Sequence, residues 1–314
     1  MATQSGLDSQ DQAGPALGEH CTTDRPTPEG KAPKGEIRKL GGINVYLTKP
    51  ENYPSDPSKL VLLLTGGTGI KSTNNQLQAD DYASEGFVVV MPDLFDGDPA
   101  PNSAAISESE TQATSFLDTF KLKAAEAAKS FLIDMWLARH TDDKVLPILD
   151  KVIEASMGEF ADAVGNGGGI YAVGYCFGGR YVLLLASERA PHNPSWTGAQ
   201  KQVDEEAGEG QGHVKIPPVI KAGAIAHPTL VSPDDFENLK SPLSFACAEN
   251  DPMFPDEVRE AGEKTMLKIG LQHKVDVYRD VPHGFAVVGD YDDLNIIDRQ
   301  IAAFRQMLNW IQEH

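Results

Sequence analysis

The run Gly174-Tyr175-Cys176-Phe177-Gly178-Gly179 constrains this chain more than any other stretch. The apolar residues Ile170-Tyr171-Ala172-Val173 precede it and Tyr181-Val182-Leu183-Leu184-Leu185 follow. A strand therefore turns sharply into a helix, with glycines on both sides of a cysteine at the tip. A thiol at such a tip sits at the helix N-terminus, which favours its thiolate form. The next backbone N–H, that of Phe177, is positioned to donate to an oxyanion. Free cysteine is also a common core residue, but a core position does not call for glycines on both flanks.

The surrounding pattern repeats strand and helix. Ile43–Leu47 alternates like a strand, and Leu60–Leu64 is a continuous apolar run of the kind buried on both faces. It leads into the glycine-rich loop Thr65-Gly66-Gly67-Thr68-Gly69. Residues 73–85 suit a helix, and Phe87–Met91 is the next strand, ended by Pro92-Asp93. From 111 to 164 the pattern is mainly helical, with Pro147 expected to break it. Strand-like runs recur at 169–173, 222–226, 243–248 and 274–279, with helical patterns at 179–188, 255–269 and 291–312. This alternation predicts an α/β fold, a mostly parallel central sheet with helices on both faces. Residues 1–35 read as a flexible or loosely docked arm. Residues 36–314 read as a single domain, with a candidate cap at 99–140 and a surface insertion at 190–216.

Charge narrows the partners. Lys+Arg of 27 against Asp+Glu of 46 gives a net charge of −19, which argues against nucleic acid and against anionic membranes, since both reward basic patches. Cys21, Cys176 and Cys247 are too few and too scattered for a disulfide framework or a zinc site, and they fit a reducing compartment. Met1–His20 has no apolar core of a secretory signal, and no run reaches transmembrane length. The expected location is the cytosol. His140, His192, His213, His227 and His273 have no ligand spacing, so neither a metal nor an organic cofactor is expected.

A cysteine nucleophile needs a base and a group that orients the base. Downstream of Cys176 the next carboxylate at a strand end is Asp251, in Ala248-Glu249-Asn250-Asp251-Pro252. The following strand leads to Val281-Pro282-His283-Gly284-Phe285. Both sit where strands give way to loops, the end of an α/β sheet at which ligands bind. The order nucleophile, acid, histidine is that of α/β-hydrolases. Asp251 followed by Pro252 also has the pattern of a helix cap, and the two roles are compatible. The loop at 65–69 lacks the Lys-Ser/Thr of a phosphate-binding loop and suits the second oxyanion N–H. Phe95, Trp136, His227 and Phe285 are candidates for lining an apolar pocket, although aromatic residues at such spacing also fit a core, and His227, before Pro228 at a strand end, equally fits a satisfied structural histidine.

With these residues in view, the sequence resembles the dienelactone hydrolase family of the α/β-hydrolase fold, in particular its eukaryotic and fungal branch. The elbow at 174–179, Met91-Pro92-Asp93-Leu94-Phe95, Glu249-Asn250-Asp251 and Pro282-His283-Gly284-Phe285 carry the resemblance, which spans about residues 35–312. It implies Cys176 as nucleophile, His283 as base, Asp251 as the partner of His283, and Gly67 and Phe177 as oxyanion donors. Two positions depart from the pattern of bacterial members. Gly66 stands where they carry a glutamate that helps generate the thiolate, and Val287 where they carry an arginine that holds the substrate carboxylate.

Activation is then expected to rest on His283 and the helix end. The implied substrate is a small-molecule ester or lactone. A thiolate, with a reference pKa of about 8.5, leaves more readily than a simple alkoxide, so activated acyl groups such as enol lactones, aryl esters and thioesters are favoured over ordinary esters and peptides. Two other readings stand beside this one: a non-catalytic scaffold of the same fold that binds a ligand or protein, and a redox sensor acting through Cys176.

Overall fold

A computed structural model describes residues 22–101, 130–189 and 217–314. Within them eight strands form one sheet: β1 (Glu36–Leu40), β2 (Ile43–Thr48), β3 (Lys59–Leu64), β4 (Phe87–Pro92), β5 (Ile170–Tyr175), β6 (Ile220–Ala226), β7 (Leu243–Ala248) and β8 (His273–Tyr278). Their spatial order is β1-β2-β4-β3-β5-β6-β7-β8. The pairings β1–β2 and β2–β4 are antiparallel, and all pairings from β4 to β8 are parallel. The described helices are α1 (Thr73–Ser84), α2 (Asp142–Glu159), α3 (Ala161–Gly167), α4 (Phe177–Ala186), α5 (Asp256–Lys268) and α6 (Leu294–Glu313), with residues 130–139 also helical.

Side-chain parity along the central strands builds two layers. On β3, Leu60, Leu62 and Leu64 join a cluster with Val145, Leu149 and Val152 of α2 and with Val182 and Leu183 of α4. Val61 and Leu63 point the other way, to Ala79 and Tyr82 of α1 and to Ala303, Met307 and Ile311 of α6. Burial on both faces is why these strands carry unbroken apolar runs. This is the α/β-hydrolase architecture that the alternating pattern predicts.

Two local expectations are corrected. Pro147 does not break its helix, because α2 runs from Asp142 to Glu159 through it. The carbonyl that loses a partner is that of Asp143, exposed in the first turn, where water can satisfy it. The helix pattern expected from 255 begins at Asp256, so Asp251 does not cap it. Residues 102–129, most of the candidate cap, and the 190–216 insertion lie outside the described residues. Among the described residues no helix is long and apolar enough to cross a membrane.

The order of strands also fixes where a site can form. From β3 the chain moves outward to β4, then returns to place β5 on the opposite side of β3. The loops after β3 and β5 therefore diverge, opening a crevice at the carboxyl ends of these strands.

Candidate active site

Cys176 sits in that crevice, between β5 and α4, with φ +51° and ψ −118°. Such a backbone is costly for a residue with a Cβ, and it persists only when its surroundings over-determine it. Three glycines allow the close packing that does so. A Cβ on Gly174 would lie 2.6 Å from Val182 Cγ2, one on Gly178 would lie 2.2 Å from the Leu64 carbonyl oxygen, and one on Gly179 2.9 Å from Pro228 Cβ. The Gly178 N–H donates to Thr65 O at 2.9 Å, tying the start of α4 to the loop after β3. The thiol is thereby held at the first turn of a helix, with its residue 3 % exposed.

Asp251 and His283 arrive from the ends of β7 and β8. Asn250, at φ +54°, turns the chain after β7 so that Asp251 faces inward. Asp251 Oδ1 accepts the Met253 N–H at 2.9 Å, and its Oδ2 lies 2.7 Å from His283 Nδ1. Both side chains are almost wholly buried. Burial lowers the basicity of His283; the hydrogen bond to Asp251 and the interaction with Cys176 raise it, for a net pKa of about 9. The three residues expected to act together are therefore in one buried cluster. Cys247, inside β7, is different: burial pushes its thiol up to about 12, which leaves it unreactive.

Gly67, on the loop after β3, and Phe177, the first residue of α4, flank the thiol. Among the described residues neither backbone N–H donates to a protein acceptor. The loop that carries Gly67 is held from several sides. Its carbonyl accepts the Ala100 N–H at 2.8 Å, and Asn75 Nδ2 donates to Thr68 Oγ1 at 3.0 Å and to Gly69 O at 2.9 Å. Gly66 faces Cys176 directly, since a Cβ there would lie 3.1 Å from Cys176 Cβ and 3.5 Å from its Sγ.

A cavity beside the thiol is lined by Gly66, Thr68, Asn75, His227, Val287 and Tyr291, among others. Of the four residues expected to line a pocket, His227 does so. Phe95 and Trp136 instead pack with Phe177 in an aromatic cluster behind the wall, at centroid separations of 4.9–5.4 Å. Phe285 packs against Tyr278 and His227.

Sequence reasoning missed the contribution of the N-terminal segment. Thr23, Asp24 and Arg25 also line the cavity. Asn74 Nδ2 donates to Arg25 O at 2.7 Å, Thr27 Oγ1 to Asn74 Oδ1 at 2.9 Å, and the Asp290 N–H to Pro26 O at 2.8 Å. The Arg25 guanidinium lies 5.1 Å over the Tyr291 ring. The available signal was an Asn74-Asn75 pair at a helix start that is buried without apolar character. Among the described residues no group of His, Cys, Asp and Glu is placed to hold a metal ion.

Comparison with known proteins identifies the family. The sequence model of the dienelactone hydrolase family matches residues 43–204 and 211–314. The chain is 30 % identical over 289 residues to the hydrolase tropI of Talaromyces stipitatus, covering 90 % of this chain and 91 % of that protein. It is 29 % identical over 283 residues to the hydrolase pyvD of Aspergillus violaceofuscus, again covering 90 % and 91 %. A thermophilic esterase of Thermogutta terrifontis superposes with a TM-score of 0.56 at 15 % identity, covering 90 % of this chain and 94 % of that one, a likeness of fold. With the family pattern matched along most of its length, this chain belongs to the dienelactone hydrolase family and is a hydrolase.

Proposed function

We propose that the protein cleaves activated carboxylic esters, enol lactones and aryl esters above all, through a thioester on Cys176. The observation that carries this reading is the buried 2.7 Å contact between Asp251 and His283, next to a cysteine held at positive φ on a glycine-flanked elbow. His283 Nε2 takes the thiol proton, and the raised basicity of the imidazole favours the resulting thiolate–imidazolium pair. The thiolate adds to the substrate carbonyl carbon, and the oxyanion accepts hydrogen bonds from the N–H groups of Phe177 and Gly67. The carbon–oxygen bond then breaks, with the imidazolium proton passing to the leaving oxygen. Neutral His283 next removes a proton from water, hydroxide adds to the thioester, and the thiolate departs to leave the carboxylic acid. Asp251 keeps the His283 proton on Nδ1 and stabilises the imidazolium.

The chemistry selects its substrates at the first tetrahedral intermediate. An enolate or phenolate competes with the thiolate as a leaving group, whereas a simple alkoxide does not. The test is the time course of nitrophenol release from p-nitrophenyl acetate by the wild type and by Cys176→Ala. A burst followed by steady turnover, both lost in the variant, is the expected result. Turnover that survives in Cys176→Ala would overturn the assignment.

A further inference from the structure

The segment after β6 grips the nucleophile from both sides of its backbone. The Cys176 N–H donates to Ala226 O at 3.2 Å, and Cys176 O accepts the Thr229 N–H at 3.2 Å. Between them His227 adopts φ +35°, a left-handed conformation, with its N–H on Ala246 O at 2.9 Å. Pro228 fills the space that a side chain at Gly179 would need. The His227 imidazole, wholly buried, lines the cavity beside Cys176. Its ring centroid lies 4.9 Å from that of His283, at an interplanar angle of 70°. Tyr175 and Phe285 hold it on other sides, at 6.0 and 5.9 Å.

The proposed mechanism uses no group of His227, although its backbone is held at positive φ and its ring is wholly buried. Asp251 and Cys176 engage His283 through its ring nitrogens, and such contacts alone leave the imidazole plane free to rock, because the terminal torsion of histidine is broad. A packing contact on the ring removes that freedom. We propose that His227 is a positioning residue for the Cys176–His283 pair: its ring, carried on the segment that clamps the Cys176 backbone, packs T-shaped on the His283 imidazole and keeps Nε2 toward the thiol while Nδ1 stays on Asp251. The inference rests on the reading of Cys176 and His283 given above.

The charge of the pair fits the arrangement. A neutral ring attracts an imidazolium that turns its edge to the ring face, so this contact is compatible with His283 carrying the thiol proton. The titratable and charged groups that face the two rings are Cys176, Asp251 and Tyr175, with Asp24, Arg25 and Tyr291 around the cavity.

The experiment compares the wild type with His227→Asn and His227→Phe. Asparagine tolerates the left-handed backbone and removes the ring, whereas phenylalanine keeps a ring and accepts the strain. Two quantities are followed against pH: kcat/KM on p-nitrophenyl acetate, and the rate of iodoacetamide alkylation at Cys176, read on its own peptide by mass spectrometry. For His227→Asn the expected result is a loss in kcat/KM of about 10–100-fold, slower alkylation at neutral pH, and a basic limb at lower pH. His227→Phe should recover most of each. Wild-type pH profiles in His227→Asn would overturn the proposal, and so would a folded Phe variant as impaired as the Asn variant. If the Phe variant does not fold, the Asn profile alone decides. Alkylation needs no ester turnover, so failure of the hydrolase reading and failure of this one are distinguishable.

Discussion

His283 is under opposing pressures, and their balance has a consequence outside catalysis. Burial disfavours its charged form, while Asp251 and Cys176 favour it strongly enough to bring its pKa to about 9. A histidine whose folded pKa lies above its unfolded value of about 6.5 stabilises the fold fully below that unfolded value, and the stabilisation is lost as pH rises through about 9. Asp251→Asn removes the carboxylate that supplies the largest favourable contribution. It should therefore cost about 2 kcal/mol at pH 6, the size of a hydrogen bond to a charged group, and less than half of that at pH 10. Urea unfolding of the two proteins at both pH values checks this, and a cost independent of pH would mean that the pair is not charged when folded. At the same scale, Gly66 leaves the thiol without a neighbouring carboxylate from the loop after β3, because any side chain there would lie against Cys176 itself. On the proposed mechanism, activation falls to His283 and the first turn of α4.

Among the elements, the loop after β3 is the one whose position catalysis should feel most. Asn75 bonds Thr68 and Gly69 with one amide nitrogen, and its own N–H returns to the Ser72 side chain at the start of α1. Asn75→Ala removes two of the bonds that hold this loop, so on the proposed mechanism the Gly67 N–H is aimed less firmly at the oxyanion. The expected outcome is a fall in kcat of about 10-fold with KM nearly unchanged, smaller than deletion of an oxyanion donor because the donor remains present. Steady-state kinetics on an aryl ester separate the two constants, and a rise in KM alone would assign Asn75 to binding instead. Elements of this sheet were legible in proportion to their burial. β3 to β7 announce themselves by apolar runs, and the elbow by its glycines. β1 was not read as a strand because Glu36, Arg38 and Lys39 break its alternation, a pattern suited to a charged edge. That Asp251 and His283 come together was legible because chain order and strand ends coincide. The wall formed by Thr23, Asp24, Arg25 and Tyr291 was not, because nothing local to either segment records that Asp290 and Pro26 meet.

The whole molecule carries a net charge of −19, and the field of that surplus bears on what reaches the crevice. Far from the surface the carboxylates add up and repel anions, slowing their encounter. Close to the thiol charges of both signs meet, since Arg25 and Asp24 lie together in the cavity wall and His283 pairs with Asp251. Salt separates the two ranges. The screening length is about 30 Å at 0.01 M and about 8 Å at 0.15 M, so added salt removes the distant repulsion first and leaves contacts within the cavity largely intact. For an anionic aryl ester, such as the p-nitrophenyl monoester of succinic acid, kcat/KM should therefore rise by about two- to fivefold between these ionic strengths. That of neutral p-nitrophenyl acetate should stay level and serve as the control for effects on the enzyme itself. A fall for the anionic ester would mean that the local cations reach further than the surplus of carboxylates, and that the mouth of the site draws anions in at low salt rather than holding them off.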